Sequence, residues 1–145
     1  MTISNDAPQP AVVPAVVVGV DLLERGRLAH IYARRGERLL ERLFTPREIA
    51  EANGKIERLE GRFAAKEAAA KALGVGIGGV VSWREIEIIR LPGGKPFLIL
   101  SGGAEAHART LGISSFDISI ADTNGLVMAV VVGARLQSSG ESYAI

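Results

Sequence analysis

An α+β domain with a mostly antiparallel sheet is the fold class this sequence predicts, and three observations predict it. Strand-like and helix-like patterns follow in the order strand, helices, two strands, helix, two strands, without the regular alternation of a parallel sheet. Gly93-Gly94 in LPGGKP separates two β-patterned runs, REIEIIRL and KPFLILSG, as a hairpin turn would. The segment TPREIAEAN starts a helix: Thr45 caps it, Pro46 suits its first turn, and Glu48 completes a capping box.

Taken in order, residues 1–14 hold Pro8, Pro10 and Pro14 and read as a flexible extension, while QSSGESYAI at the other end lacks periodicity. One domain is expected over 15–134, with a flexible tail over 135–145. AVVVGVDL reads as a strand buried on both faces, because β-branched residues crowd it. ERGRLAHIYARRGERLLERLF places Leu28, Ile31, Leu39, Leu40 and Leu43 at helical spacing, in two pieces broken near Gly36. A further helix is expected from about residue 57 to 73, stopped by Gly74. The two hairpin strands follow, then AEAHARTL as a helix, then FDISIAD and LVMAVVVG as strands.

Composition narrows the function classes. A chain of 145 residues, 48% apolar and 23% charged, is an ordinary globular domain. Its net charge of +1 argues against nucleic-acid or membrane binding as a whole-chain property. The absence of cysteine excludes thiolate metal sites and disulfides and fits a reducing compartment, so the reading is cytoplasmic. The apolar run AVVPAVVVGVDLL contains Pro14, ends near Asp21 and has no basic region ahead of it, so it is read as tail plus strand rather than signal sequence.

Several residues carry possible chemistry. Asp21 ends a run of valines, where an ionised carboxylate is expensive without a partner, although Asp also simply starts turns. Glu67 has Phe63, Ala64, Ala70 and Lys71 as helical neighbours, and the plain reading is an exposed Glu67–Lys71 pair worth about 0.3–0.5 kcal/mol. The functional reading brings Asp21 and Glu67 together. Two carboxylates with substrate phosphates and waters are what Mg²⁺ accepts, and Lys71 then adds positive charge to the same phosphates.

The run ALGVGIGG, with Gly74, Gly76, Gly78 and Gly79, lets a backbone approach an anion, or merely caps a helix. It is not a P-loop, since no Gly-Lys-Ser/Thr follows. Arg25, Arg27, Arg34, Arg35, Arg38 and Arg42 outnumber Glu24, Glu37 and Glu41, which makes either a solvated face or a dock for an acidic partner. His30 and His107 fall in unrelated helices and are read as structural.

The order of these features along the chain resembles one family. VGVDLLERGRL, LFTPREI, GRFAAKEAAAKALGVGIGG, WREIEI, GGKP and a late DISIADT are similar to the holo-acyl-carrier-protein synthases, the short, single-repeat 4′-phosphopantetheinyl transferases. The likeness spans about residues 16–132. It implies a 4′-phosphopantetheinyl transferase-like fold and Mg²⁺-dependent transfer of 4′-phosphopantetheine from coenzyme A to a serine of apo acyl carrier protein, releasing adenosine 3′,5′-bisphosphate. It further implies a homotrimer with sites at subunit interfaces.

By the same resemblance, Asp21 and Glu67 match the metal carboxylates and Lys71 the lysine near the diphosphate. Arg62 and Gly74–Gly79 match the segment at the coenzyme's nucleotide end, and Gly94, Lys95 and Pro96 the turn beside its adenine. Arg27 matches an arginine that touches the carrier protein, with Arg35, Arg38 and Arg42 as looser matches. The alanines around Glu67 are expected to let coenzyme and a neighbouring subunit lie close to the helix. The proton acceptor stays open between Glu67 and a metal-bound hydroxide.

One position departs from the pattern. The family's late strand usually ends S-[IVL]-[ST]-H-[TS], whereas Ser119-Ile120-Ala121-Asp122-Thr123 puts a carboxylate at the histidine's place. Asp122 salt-bridges a basic residue, adds a metal ligand, or signals altered or lost activity. The alternative function is therefore a non-catalytic coenzyme A or carrier-protein binding module of the same fold; a plain interaction domain using its arginine-rich face is the blander rival.

Overall fold

The structure is a computed structural model that describes residues 14–135; the expected tails, apart from Pro14 and Arg135, lie outside the described residues. The valine-rich run forms strand β1 (Val16–Glu24), which pairs antiparallel with the last strand, β5 (Leu126–Arg135). On its other edge β5 pairs antiparallel with β4 (Ile113–Asp122), so the sheet order is β1-β5-β4. A separate antiparallel hairpin joins β2 (Ile86–Arg90) to β3 (Pro96–Leu100). The expected turn lies between them. Pro92 and Gly93 occupy its corners, Gly94 N–H closes it onto Leu91 C=O at 2.8 Å, and both glycines have φ near +90° (93° and 91°).

The basic stretch breaks where expected. Gly36, at φ 72°, separates α1 (Arg27–Arg35) from α2 (Glu37–Leu43). The capping box is formed: Thr45 Oγ1 accepts from Glu48 N–H while Glu48 Oε2 accepts from Thr45 N–H, opening α3 (Pro46–Ala52). The long helix is α4 (Glu57–Ala72), and α5 (Gly102–Thr110) precedes β4.

α4 lies across the inner face of the sheet. Its alanines are expected to admit a ligand; instead they admit the sheet. Ala64, Ala65, Ala68, Ala69, Ala70 and Ala72 are buried, and a Cβ built on Gly19 of β1 would stand 1.8 Å from the Ala68 carbonyl oxygen. Backbone meets backbone there, which only small residues on both sides permit. A second cluster, Leu28, Leu40, Leu43, Phe44, Ala52 and Leu59, fills the space under α1–α3. Phe63 packs against both clusters and stacks on Trp83 with ring centroids 4.9 Å apart.

β1 corrects a second expectation. Only one face is covered: Leu23 is buried against α4, while Val18 and Leu22 are 64% and 60% exposed. Together with Val16, Val20, Met128 and Val132 they leave an apolar outer sheet face bare in the single chain.

Candidate active site

Strand period places Asp21 on the covered face of β1, in line with Gly19 and Leu23, opposite Ala129 of β5. Its side chain is only 17% exposed. Helix period brings Glu67 of α4 to the same place. The two carboxylates, with Arg27 from the start of α1, line a cleft of about 200 Å³ whose apolar floor is Leu28, Ile31 and Phe63.

Lys71, one turn beyond Glu67, does not form the simple i, i+4 pair. Its ammonium reaches across to β1, donating to Asp21 Oδ1 at 3.1 Å and to the Val20 carbonyl at 3.0 Å. Burial pushes the Glu67 carboxyl above its ordinary value, the neighbouring Asp21 charge pushes it further, and Lys71 opposes both. One lysine thus offsets two carboxylates incompletely and leaves the group net negative, which favours a bound cation.

The donor set suits a hard cation. Both groups are oxygen ligands, and among the described residues no cluster of three or more His, Cys, Asp or Glu side chains is arranged to hold a metal. An ion seated here would draw its remaining oxygens from substrate and water, which is how Mg²⁺ is usually held.

The other expected site residues lie apart from the cleft. Gly74 ends α4 through paired bonds, Gly74 N–H to Lys71 C=O and Val75 N–H to Ala70 C=O, so its role here is helix termination. Gly76 and Gly79 are exposed with open space beside them, and Gly78 adopts φ 116°. Lys95 pairs with Asp117 of β4 at 2.9 Å, and Pro96 opens β3 opposite Arg90.

Arg62 takes a structural place in this chain. It is 4% exposed and donates to Ile88 C=O, Arg58 C=O and Glu51 Oε2, the last at 2.7 Å. Arg35, Arg38 and Arg42 rim a shallow hollow with Leu39. None of the three forms an ion pair among the described residues. His30 is exposed, while His107 Nε2 meets Leu73 C=O at 3.0 Å and ties α5 to the end of α4.

Three polar features go beyond the sequence reading, which offers a salt bridge for Asp122 without its partner and assigns no role to Lys66 or Glu60. Lys66 is fully buried and donates to Glu48 Oε2 at 2.8 Å and to the Trp83 and Ile86 carbonyls. Burial lowers its pKa, with the Glu48 charge opposing. Asp122 forms an ion pair with Arg25, so the carboxylate at the histidine's position has a cation of its own. Glu60 is buried with one oxygen on the Gly26 amide. The capping box points to Glu48 but not to its partner 18 residues on.

A model of the 4′-phosphopantetheinyl transferase superfamily matches residues 17–131, and the chain belongs to that superfamily. Its relatives narrow the kind. It is 40% identical over 135 residues to the holo-[acyl-carrier-protein] synthase of Rhodopseudomonas palustris strain TIE-1, covering 86% of this chain and 92% of that one. It is 43% identical over 121 residues to the enzyme of that name from Solibacter usitatus, covering 81% and 96%. Among solved structures it matches the holo-[acyl-carrier-protein] synthase of Neisseria meningitidis with a TM-score of 0.75 at 35% identity, over 82% of this chain and 98% of that one. It matches the Helicobacter pylori synthase, solved in complex with coenzyme A, with a TM-score of 0.74 at 34% identity, over 81% and 99%.

Proposed function

We propose that this chain is an enzyme that transfers 4′-phosphopantetheine from coenzyme A to a serine of apo acyl carrier protein, with Mg²⁺ as its cofactor. The observation that carries this reading is the cleft in which Asp21 of β1 and Glu67 of α4 meet beside Lys71. The serine oxygen forms a bond to the β-phosphorus of coenzyme A, the bond from that phosphorus to the bridging oxygen breaks, and adenosine 3′,5′-bisphosphate leaves. The hydroxyl proton passes to an acceptor at the cleft, for which the Glu67 carboxylate is the candidate this chain itself provides. Such a transfer needs positioning and charge stabilisation more than covalent help.

Asp21 and Glu67 would hold the metal, which supplies charge neutralisation at the diphosphate. Lys71, more than half exposed yet fixed at its tip by β1, presents its ammonium to the same phosphates. Arg27 at the cleft, and Arg35, Arg38 and Arg42 on α1 and α2, which form no ion pair among the described residues, offer bidentate contacts to an acidic carrier protein. The Arg25–Asp122 pair gives the carboxylate at the histidine's position a cation of its own, which favours the enzyme over the non-catalytic alternative.

The bare outer face of the sheet supports a homotrimer. In one chain the residues expected at the nucleotide end, Gly76, Gly78, Gly79, Lys95 and Pro96, stand off the cleft, which fits a site completed by a second copy. Among the described residues no helix is long and apolar enough to cross a membrane. The cytoplasm is the proposed compartment, since the chain has no cysteine and uses coenzyme A.

The direct test mixes the chain with apo carrier protein, coenzyme A and Mg²⁺ and weighs the carrier by mass spectrometry. One added phosphopantetheine group is expected, and Asp21→Ala should abolish it. No gain across several carrier proteins, with the enzyme shown to be folded, would overturn the reading.

A further inference from the structure

The turn that joins β1 to α1 is Arg25-Gly26-Arg27, and it is held from outside itself. Gly26 adopts φ 87° and caps α1 without any side-chain hydrogen bond to the helix. Locally the start of α1, where Arg27 lines the cleft, has the ordinary helical bond from His30 N–H to Gly26 C=O at 2.9 Å but no side-chain cap. Two distant elements add to it. The Arg25 side chain pairs with Asp122, and its amide donates to Gly125 C=O at 3.1 Å, tying it to the end of the β4–β5 hairpin. From the other side, Glu60 Oε1 accepts the Gly26 amide at 2.6 Å.

Glu60 is an unusual choice for that position. It is 0% exposed, and its Oε2 is buried without a hydrogen-bond partner among the described residues. A buried carboxylate with one unmatched oxygen is unfavourable, and an alanine would serve the helix better. What the carboxylate does provide is a charge-assisted bond to a backbone amide at the start of a nine-residue helix. α4 is well seated for it, since a Cβ on Gly61 would come within 3.2 Å of Ile120 of β4.

Geometry links this contact to the cleft. Glu60 and Glu67 are seven residues apart on α4, hence on one face, separated by a rise of about 10.5 Å. A single rigid helix therefore sets both the Glu67 carboxylate and the amide that starts α1. We infer that Glu60 is a positioning residue, which clamps the Arg25–Arg27 turn so that Arg27 is presented to the carrier protein at a fixed distance from Glu67. The inference rests on the proposed role of Arg27 in carrier-protein binding.

The test uses Glu60→Ala, Glu60→Gln, Arg27→Ala and the double variant in the full-length chain, with KM for the carrier protein and for coenzyme A measured separately. Glu60→Ala should raise the carrier KM by about fivefold to tenfold and leave the coenzyme KM unchanged. Glu60→Gln, which keeps an acceptor oxygen, should recover most of that loss. In the Arg27→Ala background the Glu60→Ala penalty should vanish. Amide exchange by NMR supplies an independent readout, with Gly26 exchanging faster in Glu60→Ala than in the parent or in Glu60→Gln.

An unchanged carrier KM in Arg27→Ala would defeat the Arg27 reading and the inference built on it. A raised KM there, combined with a Glu60→Ala penalty that persists in full in the double variant, would defeat the inference alone. Should Glu60→Ala not fold, Gly26→Ala strains the same turn at its positive φ and must reproduce the carrier-specific rise; an equal rise in both KM values would overturn the clamp.

Discussion

At the scale of single residues, Glu67 carries a charge its surroundings disfavour. Burial and Asp21 raise its pKa, and Lys71 is engaged with Asp21 rather than with Glu67. Groups arranged for a ligand often cost stability when that ligand is absent. Glu67→Gln is accordingly expected to melt at or above the parent's temperature in metal-free buffer while losing transfer activity, checked by calorimetry beside the mass assay. Asp21 and Glu67 were legible as candidates because a carboxylate ending a valine run needs a partner and because the order of motifs around them resembles a known family. Strand and helix periods alone left a turn residue and an exposed ion pair as the plain readings. Glu60 and Asp122 were not legible as a clamp, since their partners lie 34 and 97 residues away and no local pattern marks such pairs.

At the scale of elements, the glycine- and glutamate-rich joints decide how helices meet strands. Glu85 takes the Ser82 amide on one oxygen and the Gly103 amide on the other, each at 3.0 Å, so it joins the turn before β2 to the start of α5. The backbone bonds from Ser82 and Gly103 hold its pKa below the ordinary carboxylate value. A depressed carboxyl contributes stability that is fully present above the unfolded pKa and lost as pH falls through the folded one. The melting-temperature difference between the parent and Glu85→Gln should therefore be largest near neutrality and shrink on acidification, with thermal scans across that range as the check.

The buried Lys66–Glu48 pair behaves differently. Glu48→Ala strands an ammonium together with the Ile88 and Thr45 amides, and urea unfolding should show a loss of about 3–5 kcal/mol. The capping box made half of that network readable. The other half depends on how α4 lies over β2, which no local pattern encodes.

At the scale of the whole molecule, β1 marks where sequence reading stops. Valines on both sides of a strand look alike whether the second face meets a helix or another copy of the chain, so alternation cannot reveal a bare face. The strand was legible, and so was its antiparallel class; the exposed outer face was not. If the proposed homotrimer uses that face, placing an aspartate on it, Val18→Asp, should leave the single-chain fold intact and lower the mass seen by sedimentation from that of a trimer in the parent to that of a monomer. An unchanged trimer would remove the sheet face from the assembly.

The proposed transfer depends most on two carboxylates sharing one cation. Binding of Mn²⁺, followed by electron paramagnetic resonance in the presence of coenzyme A, measures this in the parent, Asp21→Asn and Glu67→Gln. The parent should take up one ion per active site, and each single variant should weaken binding by at least about tenfold. Parent-like affinity in either variant, with the fold intact, would contradict the shared site.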